Sequence, residues 1–142
     1  MTVDENKISN IIAELSLTDK ANVVTGHGMW TTRIIGDAGI PALTVTDGPN
    51  GARGAGLMGT GTPTTCIPAG SVLGSTWNPT LMEELGVLLA EESIAKGANV
   101  LLAPTINLHR NPLGGRNFEC YSEDPYLTGT LAAGYINGVQ SQ

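Results

Sequence analysis

The densest cluster of side chains able to do chemistry runs from His109 to Pro125 (HRNPLGGRNFECYSEDP), with Arg110, Arg116, Glu119, Glu123 and Asp124 inside it. It holds two of the four arginines of the 142-residue chain. A guanidinium offers a planar fork of donors that fixes a carboxylate or neighbouring sugar oxygens in one geometry. One arrangement pairs Arg116 with Glu119 to brace the loop and leaves Arg110 to face a cavity. In the plainer one every charge solvates or staples a surface loop, and Asp124 before Pro125 is the N-cap of a following helix. A second site centres on Asp47, which opens the turn Asp47-Gly48-Pro49-Asn50-Gly51. A carboxylate there can accept hydrogen bonds from two vicinal hydroxyls of a sugar. An Asp-Gly pair also commonly holds its own turn through the side chain.

Other chemistries find little support. Gly54-Ala55-Gly56-Leu57-Met58-Gly59 matches G-x-G-x-x-G, but a dinucleotide site needs a helix starting inside the motif, and Thr-Gly-Thr-Pro-Thr-Thr follows instead. His27 and His109 have no neighbour at metal-ligand spacing, so neither a metal nor a cofactor is expected. There is no G-x-S-x-G elbow, and Cys66 and Cys120 lack the partners of a catalytic thiol. A disulfide between them is possible but not implied. The formal charge is −6 with no basic cluster, which argues against a nucleic-acid partner. No run of eighteen apolar residues and no secretory leader are present, so the expectation is a cytoplasmic chain off the membrane.

The elements that must carry these loops follow from periodicity. Ile8, Ile11, Ile12 and Leu15 have the spacing of a one-faced helix, and Ser16 with Asp19 forms a capping pair for a second short helix ending near Gly26. Residues 26–41 read as an irregular loop. Residues 42–46 (ALTVT) read as a buried strand running into the Asp47 turn, and residues 71–75 as a second short strand. Asn78 and Pro79 open a helix whose Leu81, Met82, Leu85, Leu88 and Leu89 form one stripe, with Gly97 as its stop. Glu83, Glu84, Glu91 and Glu92 fall on its solvated face. Residues 99–103 (NVLLA) read as a strand covered on both faces, and a last helix starts near Tyr126. Alternating strands and helices make this an α/β chain with parallel strands, its long loops after strand ends as in a (β/α) barrel. About three strands are visible against eight, so the fold reads as an incomplete (β/α)8 TIM-type barrel: a helical lead-in over residues 1–40, then a barrel part over residues 41–142.

At this point the residues carry a resemblance. TDGPNGARG (46–54) and CIPAGSVLGSTWNPTLMEELGVLLAEESIAKGANVLLAPTINLHRNPLGGRNFECYSEDPYLTG (66–129) resemble the front half of family 3 glycoside hydrolases, nearest their β-glucosidases. The helical lead-in LSLTDKANVVTG (15–26) resembles theirs too. The resemblance implies that Asp47 and Arg110 bind glycone hydroxyls in subsite −1, and that Arg116 and Glu119 brace the loop beside the pocket. It implies retaining hydrolysis of β-linked glucosides or oligosaccharides, with the pattern around Asp47 and Arg110 nearer the glucosidase than the hexosaminidase group. The nucleophile, the acid/base and a sugar-holding Lys-His pair would all lie beyond residue 142, so these residues alone are expected to be inactive. The remainder of the barrel, in the same or a separate chain, is the implied partner. The alternative is a non-catalytic part-barrel module that self-associates or complements a separate second half.

Overall fold

The computed structural model describes residues 4–54 and 63–142. The G-x-G-x-x-G stretch therefore lies outside the described residues beyond Gly54. The chain divides into two compact units, Met1–Thr44 and Val45–Gln142.

In the first unit, α1 (Glu5–Glu14) is capped by Asp4, whose carboxylate accepts from Lys7 N at 3.0 Å. Ser16 caps α2 (Leu17–Val23): its Oγ accepts from Asp19 N at 3.0 Å and donates to the Asp19 carboxylate at 2.6 Å, the capping pair that S-x-x-D implies. Residues 26–44 are less irregular than their composition suggests. Antiparallel bridges join Gly26 to Thr32, Thr31 to Thr44 and Ile35 to Ile40, the last closed by a 3-10 turn at Gly36–Ala38.

In the second unit, β1 (Val45–Asp47) and β2 (Val100–Leu102) pair in parallel, with Asp47 beside Leu102 at their C-terminal ends. These are the two named strands among the described residues; the expected third one is a helix. Residues 71–75 fall in α3 (Gly70–Gly74) and its C-cap, Ser75. Gly70 and Gly74, one turn apart, let this helix press directly on backbone: a Cβ at either would overlap the carbonyl of Glu119 or of Tyr121. The close approach is a property of the tertiary fold, so the local β-branched signal of Val72 loses.

Helix α4 (Pro79–Ala95) begins and ends as its sequence dictates. Asn78 Oδ1 accepts from Leu81 N at 3.1 Å, and Gly97 carries the positive φ of +72° past the end. Met82 and Leu89 are its fully buried side chains. α5 (Pro125–Gln140) is capped by Asp124, which accepts from Tyr126 N at 2.9 Å, so this acid serves the helix. The two helices meet through glycines. A Cβ at Gly134 would stand 2.5 Å from the Pro79 carbonyl oxygen, and Gly86 and Gly138 press on the facing backbone in the same way. Around that contact Leu73, Met82, Leu89, Tyr121, Leu131 and Tyr135 form the core, with Leu101 of β2 against it. The expectation that β2 is covered on both faces is not met: Val100 and Leu102 are 38% and 48% exposed, and only the Leu101 face meets the helices.

Candidate functional site

Asp47 stands at the end of β1, where the chain reverses. The reversal does not need its side chain. Asp47 O accepts from Arg53 N at 2.9 Å, and the buried Thr46 hydroxyl accepts from Gly54 N at 2.8 Å. Gly48, at φ +148°, lies where any side chain would overlap the Gly51 carbonyl. With the turn held by these bonds, the Asp47 carboxylate pairs, among the described residues, with the Arg53 guanidinium, Oδ2 to Nη1 at 3.4 Å. Both partners are half exposed, 38% for Asp47 and 52% for Arg53, so the pair contributes at most about 1 kcal/mol and yields readily to a ligand.

The loop after β2 supplies the facing groups. Arg116 grips Glu119 side-on, Nε to Oε1 at 2.8 Å and Nη2 to Oε2 at 2.7 Å. Glu119 is 15% exposed while Arg116 is 79% exposed, so the acid is the seated partner and the arginine closes over it. The Arg116 hydrogen bonds, against some burial, hold the Glu119 carboxyl below the usual range, with a smaller contribution from Thr105. The same bonds raise Arg116, with weaker help from the Asp47 charge. Asn117 Nδ2 donates to Asn111 O at 2.7 Å, and Leu113 N donates to Asn111 Oδ1 at 2.9 Å, which knots the 111–117 turn beneath the pair.

Together these segments enclose a cleft of about 540 Å³ that brings Asp47, Arg53, Arg116 and Glu119 to one place, with Thr64, Thr65 and Cys66 on a third side and Leu102 and Phe118 as apolar wall. Carboxylate acceptors, guanidinium donors and an apolar patch suit a compact polyol: hydroxyls pair with the charges and C–H faces meet the apolar wall. Arg110 is not part of this lining. It is exposed on the same loop and makes no hydrogen bond or ion pair with the described residues. His109 is a loop staple, its Nε2 donating to Cys120 O at 3.0 Å. Among the described residues no three His, Cys, Asp or Glu side chains gather as metal ligands, and both cysteines are free thiols. A larger cavity, about 810 Å³, lies in the first unit beside Asp19, Arg33 and Asp37 and contains none of these residues.

Two participants are absent from the sequence reading. Arg53 is one; its signal is position, six residues past Asp47 across a Gly-Pro-Asn-Gly reversal that folds it back on the carboxylate. Glu92 is the other. Read as solvated helix surface, it instead accepts from Thr64 Oγ1 at 2.6 Å and Thr65 N at 2.8 Å, contacts across 27 or more residues that no local pattern announces.

The profile described as "Glycosyl hydrolase family 3 N terminal domain" matches residues 2–142. A β-glucosidase of Rhizobium radiobacter is 51% identical over 135 residues, covering 95% of this chain and 16% of that protein. β-Glucosidase B of Emericella nidulans is 47% identical over 138 residues, again 16% of its length. Among solved structures, the Kluyveromyces marxianus β-glucosidase in complex with glucose superposes with a TM-score of 0.90 at 44% identity, covering 94% of this chain and 16% of that one. β-Glucosidase 3B of Thermotoga neapolitana in complex with glucose gives 0.86 at 39%, covering 95% and 21%. The chain thus spans about a sixth of the length of the curated relatives it matches.

Proposed function

The chain belongs to glycosyl hydrolase family 3, and on that basis we propose that it supplies glycone-binding groups of subsite −1 to a retaining β-glucosidase-type enzyme. The observation that carries this is the Asp47 carboxylate. It sits at the C-terminal end of a parallel strand, free of its own turn and loosely paired, and opens on a cleft edged by two guanidiniums. In a (β/α) barrel that end of the strands is where sites are built. In this reading residues 41–142 begin a (β/α)8 barrel and residues 1–40 lead into it. Asp47 accepts from two neighbouring sugar hydroxyls, Arg53 and, from outside the cleft lining, Arg110 donate to sugar oxygens, and the Arg116–Glu119 pair fixes the loop that carries Arg110.

Retaining hydrolysis needs a carboxylate nucleophile about 5 Å from a carboxylic acid/base. Glu119 has both carboxylate oxygens bound by Arg116, so neither is free to attack, and its lowered carboxyl does not keep the proton that an acid must deliver. Asp47 is assigned to binding. These residues therefore hold a glucosyl unit without cleaving its bond, and the remainder of the barrel supplies the rest. The test is a glucose titration of the ¹⁵N-labelled chain beside an assay with a chromogenic β-glucoside. Saturable shifts at Asp47 and Arg53 without turnover are expected. Turnover by the pure chain would overturn the assignment of roles; shifts confined to the cavity of the first unit would overturn the site.

A further inference from the structure

Helix α4 holds both described limbs of the loop that follows β1. Its C-cap residue, Lys96, donates through Nζ to the carbonyl of Ala52, a fully buried residue on the limb leaving Asp47. One turn earlier Glu92 accepts from Thr64 Oγ1 at 2.6 Å and from Thr65 N at 2.8 Å, on the limb returning toward α3. Thr64 and Thr65 line the cleft that Asp47 lines. The limbs are also tied to each other at their base: Asn50 Nδ2 donates to Pro68 O at 2.6 Å, and Ile67 N donates to Asn50 O at 2.9 Å. Gly51 passes so near Thr65 that a side chain there would overlap the Thr65 carbonyl.

The other three acids of α4, Glu83, Glu84 and Glu91, are exposed and make no side-chain bond with the described residues, as helix-surface glutamates ordinarily do not. Glu92 and Lys96 lie four residues apart on one helix face, the acid taking the donors of one limb and the base taking an acceptor of the other. The helix thereby fixes two strips of loop backbone that have no secondary-structure partners of their own.

We propose that Glu92 and Lys96 are positioning residues for the glycone cleft, setting the separation between the Asp47 turn and the wall formed by Thr64, Thr65 and Cys66. The inference rests on the reading of Asp47 as a glycone ligand. Neither residue touches the sugar. They act by keeping the cleft at its binding width, so losing them lowers the fraction of molecules competent to bind, and affinity falls by that fraction.

The experiment compares the wild-type chain with Glu92→Ala, Glu92→Gln and Lys96→Met, reading amide exchange by NMR and the dissociation constant for glucose. A hydrogen bond to a charged acceptor is worth about 1.5–3 kcal/mol, so Thr65 N–H exchange should quicken about 10- to 100-fold in Glu92→Ala. Exchange of the α4 and α5 core amides should stay as in the wild type, which separates an opened loop from a lost fold. Glucose affinity should fall about tenfold if the loop is then competent a tenth of the time. Glu92→Gln, which keeps one acceptor oxygen, should recover part of both effects, and Lys96→Met should weaken glucose binding while leaving Thr65 less affected. Unchanged Thr65 exchange in Glu92→Ala overturns the proposal, as does faster exchange with unchanged glucose affinity. A wild-type chain without any glucose shift at Asp47 refutes the glycone reading itself, and that failure is visible before any variant is made.

Discussion

Two glycines of α5 should respond to the same substitution with opposite signs. Gly134 faces α4, where a methyl group would stand 2.5 Å from Pro79 O, 3.3 Å from Pro79 C and 3.5 Å from Met82 Cβ. Contacts of Cβ below 3.0 Å are essentially not found, so the helices must part by about 0.5–1 Å, and the obstacle is backbone that cannot rotate aside. A gap of that size forfeits a quarter to a half of each interhelical dispersion contact, and overpacking of this kind costs about 1–3 kcal/mol. Alanine returns about 0.8–1 kcal/mol in helix propensity. Gly134→Ala should therefore destabilise by up to about 2 kcal/mol, and about 1 kcal/mol corresponds to a fall in Tm of about 4–8 °C for a unit of this size. Gly129, a turn nearer the N-terminus of the same helix, is exposed and has nothing within 4 Å of the position a Cβ would take. Gly129→Ala should keep the propensity gain and raise Tm by a few degrees. Thermal melts followed by far-UV circular dichroism, with urea titrations beside them, read both. Equal shifts in the two variants, or a stabilised Gly134→Ala, would refute the claim that α4 and α5 pack through backbone at Gly134.

Replacing Asp47 by Asn keeps the shape but leaves one neutral acceptor and turns the other oxygen into an NH2 donor, a loss of about 1 kcal/mol per hydrogen bond. Two sugar bonds then predict glucose binding weakened about 10- to 50-fold by NMR titration, with Tm lowered by no more than the few degrees that the weak Arg53 pair contributes. Arg116→Lys loses the side-on grip that only a guanidinium fork provides, so amide exchange at residues 117–120 should quicken while the α4 and α5 amides hold. Acid should loosen the cleft late. Burial raises Glu92, but the bonds from Thr64 and Thr65 and the Lys96 charge outweigh it, and Glu119 is lowered chiefly by Arg116. A depressed folded value means the stabilisation is complete above the ordinary 4.5 and is lost as the pH falls below it. Carboxyl ¹³C titrations should place both midpoints under 4.5, and a midpoint at or above it would contradict the bonds described.

What the sequence reveals and what it hides divide along the range of the interactions. Caps at Ser16, Asn78 and Asp124 and the stop at Gly97 are legible because each is settled within four residues. The α4 stripe is legible because periodicity reports a buried face directly, and Met82 and Leu89 sit at its centre. The strands are legible as existing and parallel, but each is three residues long, shorter than the apolar runs that announce it. Residues 71–75 mislead because what makes them helical is the backbone of residues 119–121 pressed on Gly70 and Gly74. Arg53 and Glu92 are silent for the same reason: the first is placed by a chain reversal, the second by a loop that returns to its helix.

That division also explains how a glycine-rich segment makes a defined cleft. Loops dominated by glycine lose much backbone entropy on ordering, so a chain with 19 glycines should present loosely held site residues. Here several glycines sit where one stretch of backbone lies directly on another: Gly48 over Gly51, Gly51 over Thr65, Gly70 over Glu119. Each contact removes freedom from two segments at once and brings a cleft residue with it, Asp47 in the first case, Thr65 in the second, Glu119 in the third. Side-chain ties then act where glycine contacts are missing, through Thr46 to Gly54 and through Glu92 and Lys96 to the two loop limbs. The cleft groups are thus held from the scaffold side, which leaves the Asp47 carboxylate and the Arg53 guanidinium facing each other at 3.4 Å with donors and acceptors to spare. A ligand hydroxyl entering between them displaces a weak surface pair rather than a structural bond, so binding there need not disturb the fold.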